Sequence, residues 1–312
     1  MIHIFIPSYH RPENQKTVRY FIKQGYDASK LHVFLDSEAD DIDLYKAILE
    51  PKGVNVCVFD MSEARRRYDY VHRASASRRS AGQARNMMQD YAKEKGIDFY
   101  MVQDDDTDHY QMRVKGWYTR CANYEDLLYY FNEVEVFMRK HRIGLFGLSQ
   151  TGDLYSQEET KVMRWKVMNT TFYLMPYIYR GERGVQDDDT SLFAGVYNEG
   201  LFTGSLASGL VLKQTPSATA VGGLTDLYNE CKLLNKALVC PIQFPSAIWA
   251  EKQVMNGGRI HHHINKRYLA PCLIKGKVNN IGWDTYEEDT PFTNEPQRKY
   301  VLREEEMENE IQ

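Results

Sequence analysis

Three aspartates, Asp104, Asp105 and Asp106, directly follow the apolar run Phe99 to Val102 and Gln103. Side chains alternate faces along an extended segment, so Asp104 and Asp106 are expected to point the same way. Two carboxylates facing one site repel each other unless a cation lies between them. A hard divalent ion, Mn2+ or Mg2+, held through one or two carboxylates and phosphate oxygens is the ordinary arrangement. A solvated acidic turn would carry the same letters, but the place at the end of a buried strand favours a metal site.

Upstream, Arg65, Arg66, Arg67, His72 and Arg73 lead to Arg78-Arg79-Ser80-Ala81-Gly82-Gln83-Ala84-Arg85-Asn86, where a helix begins. Free backbone N–H groups and the helix dipole favour phosphate there, and guanidinium groups add bidentate contacts, which makes Arg78, Arg79 and Arg85 diphosphate candidates. The small residues permit a ligand to approach closely, or serve as helix-packing positions. Val102-Gln103-Asp104-Asp105-Asp106-Thr107 recurs letter for letter as Val185 to Thr190, which gives a second acidic turn ahead of Ser191 to Tyr197. There Asp189 or Thr190 can also cap the following helix. Late in the chain, His261 and His263 share a face if Arg259 to Asn265 is extended; neutral imidazole suits Mn2+ better than Mg2+, and a polar loop has the same composition.

These groups need a scaffold. β-rich runs at Ile2 to Ile6, Leu31 to Leu35 and Val54 to Phe59 alternate with helical patterns at Glu13 to Gln24 and Asp40 to Leu49. A long helix from Ser80 to Lys95, ended by Gly96, precedes the strand Phe99 to Val102. This βαβ order implies an open parallel sheet, whose ligands lie at the carboxyl ends of strands, here after Ile6, Leu35 and Val102. Tyr124 to Arg139 reads as another helix, Gly144 to Leu148 as a strand, and Val162 to Met168 and Thr171 to Met175 as further β segments, so the second half implies a mixed sheet. No linker rich in Pro, Ser or charge divides the chain.

With 312 residues, 43% of them hydrophobic, the chain has enough apolar material for a large core, and global disorder is excluded. Met1 to Tyr9 is short, apolar and ended by Pro7, unlike a leader peptide, and no apolar run reaches membrane-spanning length. Five scattered cysteines show no CxxC pair. The expectation is a soluble, cytoplasmic protein with no membrane partner. A formal charge of −4 argues against a wholly basic nucleic-acid binder, although the local arginine run wants an anionic partner.

The order Ile6-Pro7-Ser8-Tyr9-x-Arg11, Asp36 ending the second strand, Gly82-x-Ala84-Arg85-Asn86 and Asp104-x-Asp106 resembles nucleotide-diphospho-sugar transferases of the GT-A fold, over residues 1–110. The resemblance implies a single α/β domain with a Rossmann-like mixed sheet flanked by helices. Residues 1–110 would be its nucleotide-sugar-binding half, and residues 111–312 its acceptor-binding and catalytic half. By the same resemblance Pro7, Ser8, Tyr9 and Asp36 hold the base, Arg11, Gly82 and Arg85 lie along ribose and diphosphate, and Asp105 lies along the donor. Asp104 and Asp106 bind the metal with help from a late histidine, His261 or His263, and Asp188 or Asp189 supplies the base or orients the acceptor. The usual form of that last motif is Glu-Asp, from which Asp188-Asp189 departs.

The whole chain also looks like the TET-associated glycosyltransferases, a mostly phage-encoded family that glycosylates hydroxymethylated pyrimidines in DNA. The opening loop, both acidic turns and Gly222-Gly223 carry that likeness. It implies a UDP-sugar donor, a 5-hydroxymethylpyrimidine acceptor, a phage origin with a host-cytoplasmic location, and stacking roles for Tyr68, Tyr70, Trp117 or Tyr118. Alternative readings are transfer to a glycan or protein hydroxyl, a nucleotidyltransferase of related fold, and a non-catalytic nucleic-acid-binding module. The nucleotidyltransferase lacks its glycine-rich loop after the first strand, and a bare binding module gains nothing from aspartates beside its basic surface.

Overall fold

Strands β1 (His3–Pro7), β2 (Leu31–Asp36) and β3 (Asn55–Phe59) alternate with helices α1 (Lys16–Lys23) and α2 (Ile42–Leu49), as the hydrophobic periodicity predicts, and a further helix, α3 (Met61–Arg67), follows β3. This is a computed structural model that describes residues 1–67, 80–115, 118–150, 162–163, 167–175, 188–198, 201, 203–206, 210–214, 237–252, 260–265 and 268. Helix α4 (Ala81–Glu94) opens with a capping box, in which Ser80 N donates to Gln83 Oε1 at 2.8 Å and Gln83 N to Ser80 Oγ at 3.4 Å. It leads into β4 (Phe99–Gln103), every residue of which is buried. Then follow β5 (Thr107–Lys115), β6 (Tyr118–Cys121), α5 (Tyr124–His141), β7 (Leu145–Gly147), β8 (Ser149–Gln150), β9 (Val162–Met163) and β10 (Thr170–Leu174). Helix α6 (Asp188–Asn198), β11 (Thr203–Leu206), β12 (Leu210–Gln214), β13 (Ile248–Lys252) and β14 (Ile260–Ile264) complete the order.

The main sheet runs β3-β2-β1-β4-β10-β7-β11-β9. β1 to β4 are parallel, β10 is antiparallel to both β4 and β7, and β11 is again parallel to β7. This helix-flanked mixed sheet is the α/β architecture expected from the sequence. It continues across residue 110, because β10 zips onto β4 from Thr170 opposite Gln103 to Leu174 opposite Phe99.

Alternation along the strands builds two cores. Ile4, Ile6, Val33, Leu35 and Phe172 face one side, where α1, α2 and α5 pack; Phe5, Phe34, Tyr100, Val102 and Tyr173 face the other, where α3, α4 and α6 pack. A smaller cluster of Phe193, Tyr197, Cys240 and Ile248 ties the β13–β14 hairpin to α6. The second sheet, β6-β5-β12-β8, was not anticipated from the sequence. Its strand β5 leaves the aspartate triplet directly, so that triplet is the corner at which the chain passes from one sheet to the other.

Polar groups buried in these layers have consequences for stability. His32, only 4% exposed, lies with Nε2 2.8 Å from Nδ1 of His3. Burial first, then the nearby His3 and Lys30, lowers its pKa to about 4; Cys57 and Tyr91 face its other nitrogen. The unfolded chain therefore takes up a proton near pH 6.5 that the folded chain refuses until about pH 4. Stability from this source is complete above pH 6.5 and is lost as pH falls through that window, by about 2 kcal/mol at pH 5. Urea denaturation at pH 7 and pH 5 should show that loss in the wild type and a markedly smaller one in His32→Leu. Equal losses would remove His32 as the cause.

Candidate active site

The carboxyl ends of β1, β2 and β4 converge as expected, and the loop after β1 is latched to the aspartate corner. Ser8 Oγ donates to Asp105 Oδ2 at 2.6 Å, and Arg11 Nη1 donates to Asp105 Oδ1 at 2.8 Å. Arg11 N donates to the Tyr45 hydroxyl at 2.8 Å, which itself lies 2.8 Å from Ser8 Oγ, and Gln15 Nε2 donates to Ser8 Oγ at 2.7 Å. Asp105 is thus the buried fastener between loop and corner. Burial pushes its carboxyl up, and the Arg11 guanidinium pulls it back down. Pro7 ends β1, Tyr9 packs its ring on His10, and Asp36 is buried at the end of β2, where Oδ1 accepts from Glu38 N at 2.9 Å.

Asp104 and Asp106, expected to share a face, meet different arginines. β4 ends at Gln103 and the chain turns at Asp105 and Asp106, so alternation stops where it was needed. Asp106 Oδ2 lies 3.8 Å from Arg11 Nη1, beside Asp105, whereas Asp104 Oδ1 accepts from Arg85 Nη2 at 3.3 Å. Burial, then the neighbouring Asp105, pushes the Asp106 carboxyl up. Arg85 Nη1 also donates to Asp188 Oδ2, so the two acidic turns meet at one guanidinium. Asp188 and Asp189 occupy the first turn of α6, where the dipole favours carboxylates.

A buried polar net holds this corner. Gln103 Oε1 accepts from the Tyr110 hydroxyl at 2.6 Å and from Thr170 Oγ1 at 2.5 Å, and Gln103 Nε2 donates to Thr107 Oγ1 at 2.5 Å. Thr17 Oγ1 donates to the Asp104 carbonyl at 2.5 Å and accepts from Thr107 N at 3.1 Å. Thr17 N adds a bond to the Asp105 carbonyl at 3.2 Å. The Gln and Thr that bracket the aspartates were the visible signal, since both recur in the second acidic turn.

Other expected residues separate. Gly82 and Ala84 are buried, and Ala84 packs in the core beneath α4. On β14, His262 is the buried histidine and its Nε2 lies 3.1 Å from Thr190 Oγ1 at the start of α6. His261 and His263 alternate to the opposite face, with His263 stacked on Trp249 and 3.4 Å from Glu251. Packing of Ile248 against α6 sets that face, and no periodicity could choose it. Arg65 forms a two-bond fork with Glu38, Arg66 meets Glu63, and Arg67 meets Asp90 at 2.8 Å. Arg78, Arg79, Tyr68, Tyr70, Trp117 and Gly222-Gly223 lie outside the described residues, and Tyr118 begins β6.

Among the described residues, the one group of three ligating side chains whose atoms come within 4.8 Å of one another is His10, Asp40 and Asp41. The side chain of Asp40 is 87% exposed, and the contacts are those of a surface ion-pair cluster. The aspartate corner fits a divalent cation on other grounds. Asp104, Asp105, Asp106 and Asp188 meet two guanidinium groups, Arg11 and Arg85, which leaves two negative charges on hard oxygen ligands.

A profile of the family described as TET-Associated Glycosyltransferase matches residues 2–202. No curated protein sequence matches the chain. Among solved structures, one of a mycobacterial protein is similar at 9% identity, covering 85% of this chain and 83% of that one, with a TM-score of 0.43. Glucosyl-3-phosphoglycerate synthase from Mycobacterium tuberculosis, solved with Mn2+, UDP-glucose and phosphoglyceric acid, is similar at 10% identity, 88% coverage of each chain and a TM-score of 0.43. A protein assigned as a nucleotide-diphospho-sugar transferase from Desulfovibrio desulfuricans G20 is similar at 9% identity over 78% of this chain and 95% of that one, with a TM-score of 0.36. No described helix is long and apolar enough to cross a membrane.

Proposed function

The chain belongs to the TET-associated glycosyltransferase family, and from that premise we propose that it moves a sugar from a UDP-sugar to the hydroxyl of a 5-hydroxymethylpyrimidine in phage DNA, with the help of a divalent metal. The observation that carries the donor side is the meeting of two acidic turns and two arginines at the carboxyl ends of β1, β2 and β4. Asp36 and the loop from Pro7 to Arg11 select the base and ribose, because acceptor oxygens suit an imide N–H or ribose hydroxyls. Asp104 and Asp106 hold the cation, Mn2+ or Mg2+, which when bound neutralises charge on the leaving diphosphate. Arg78 and Arg79 stand close in sequence to add further positive charge.

A carboxylate of the second turn, Asp188 or Asp189, takes the proton of the attacking hydroxyl and keeps it oriented. That division makes residues 1–110 the donor half and residues 111–312 the acceptor half of one domain. The acceptor rests on the family and on the basic stretch from Arg65 to Arg85. Arg65, Arg66 and Arg67 already have carboxylate partners, which leaves less of their charge for acceptor phosphates.

Two measurements test the reading. Calorimetry with Mn2+ should rank UDP above GDP and ADP, and equal binding of all three would remove base selection from Asp36 and the first loop. Matched oligonucleotides carrying cytosine, 5-hydroxymethylcytosine or 5-hydroxymethyluracil, incubated with UDP-sugars, should gain a hexose or pentose mass only on a hydroxymethylated base. Addition only to glycan or protein hydroxyls would leave the transferase and remove DNA as its target.

A further inference from the structure

Arg85 stands between two carboxylates that are far apart in sequence. Nη2 faces Asp104 on the donor-side turn, and Nη1 faces Asp188 on the turn that begins α6. Its side chain is 13% exposed and that of Asp188 is 15% exposed, so the contact is largely shielded from water. Both supports are rigid. α4 is fixed by its capping box and by Ala84, Met88 and Ala92, and α6 by Leu192 and Val196, all packed into the same core on one face of the sheet. A planar guanidinium can offer separate N–H groups to two carboxylates at once in fixed geometry, whereas an ammonium is a single point charge on a flexible stem.

We infer that Arg85 is a positioning residue that clamps the donor-side turn to the acceptor-side turn, in place of the direct diphosphate contact expected for it from the sequence. It sets the separation of Asp104 and Asp188, and through it the cation site and the acceptor-orienting carboxylate share one geometry. Without Arg85, the two carboxylates lose the guanidinium that joins them and the turns move apart. The inference rests on the reading of this cleft as the nucleotide-sugar site.

The test uses the full chain with Arg85→Gln, Arg85→Lys, Asp188→Asn and the double variant Arg85→Gln/Asp188→Asn. UDP affinity with Mn2+ is read by calorimetry, and kcat and KM from UDP-sugar hydrolysis. Arg85→Gln should lower kcat about 100-fold, the usual cost of a misplaced catalytic group, while UDP affinity stays within about threefold. Arg85→Lys should regain part of that loss. The double variant should be no slower than the slower single one, because both substitutions break the same link. A fall in UDP affinity of about tenfold or more with kcat preserved, or a double variant in which the two single effects multiply, overturns the inference. If Arg85→Gln does not fold, Arg85→Lys carries the same comparison: kcat down with UDP binding kept supports the clamp, and the reverse overturns it.

Melting temperatures, without nucleotide, of the wild type, Arg85→Gln, Asp188→Asn and their double variant separate this from failure of the donor reading. Non-additive shifts for Arg85 and Asp188 support the clamp even if no nucleotide binds, and additive shifts overturn it even if UDP binds well.

Discussion

Asp106→Ala should abolish sugar transfer while the protein stays folded, with a fall in kcat on the order of 1000-fold, the scale of several kcal/mol of lost charge stabilisation. Asp106 sits at the corner between the two sheets, beside Asp105, and its nearest described cation is Arg11 at 3.8 Å. Burial and the adjacent carboxylate disfavour its charge, which a divalent ion at the corner would restore. Its side chain takes no part in the polar net around Gln103, so the loss should fall on chemistry and leave packing intact. Melting temperature and circular dichroism check the fold, and hydrolysis of a UDP-sugar across an Mn2+ titration checks the activity. Full activity of the variant in EDTA would remove both the residue and the metal from the mechanism.

Gln103→Leu should have the largest effect on stability. The substitution keeps the volume but strips partners from Tyr110, Thr170 and Thr107, three hydroxyl groups that are fully buried. Each buried hydroxyl left unsatisfied costs roughly 1 to 3 kcal/mol. Rotation of the threonine hydroxyls toward backbone carbonyls recovers some of this, so the expected loss is about 4 kcal/mol. The same change loosens the aspartate corner, and the folded fraction should turn over about 100-fold more slowly. Tyr110→Phe removes one bond of the net and should cost only about 1 kcal/mol. Urea midpoints at unchanged m-value give the comparison. A Gln103→Leu protein within 1 kcal/mol of wild type would show that the net merely fills space.

The strands and helices that form the donor half were legible because their signals are local. Ile2 to Ile6, Leu31 to Leu35 and Phe99 to Val102 are runs of apolar residues that become strands buried on both faces. Ser80 with Gln83 announces the start of α4, and Asn123 with Asp126 does the same for α5, since a cap is written within four residues. Helix α3 and the second sheet escaped notice. β5 alternates with Tyr110 and Met112 turned into the core, but its partner β12 lies far along the chain, so nothing local marks the pairing.

Sequence alone determined which residue types the site contains and that they stand at the carboxyl ends of strands, because strand order and ligand position follow from periodicity and topology. The tertiary structure decided what each charged group meets. Alternation placed Asp104 with Asp106, but an alternation rule holds only while the chain is extended, and the turn after Gln103 sends Asp104 to Arg85 and leaves Asp106 beside Asp105 and Arg11. It placed His261 and His263 together correctly, yet the face of β14 that meets α6 is chosen by the packing of Ile248, and that face carries His262. It counted the arginines of α3 as positive charge, whereas Glu38, Glu63 and Asp90 fold onto them. The net that joins Thr17, Gln103, Thr107, Tyr110 and Thr170 spans three strands and a helix. Such contacts cost loop closure and gain burial only when the sheet has assembled, so no window of sequence contains them.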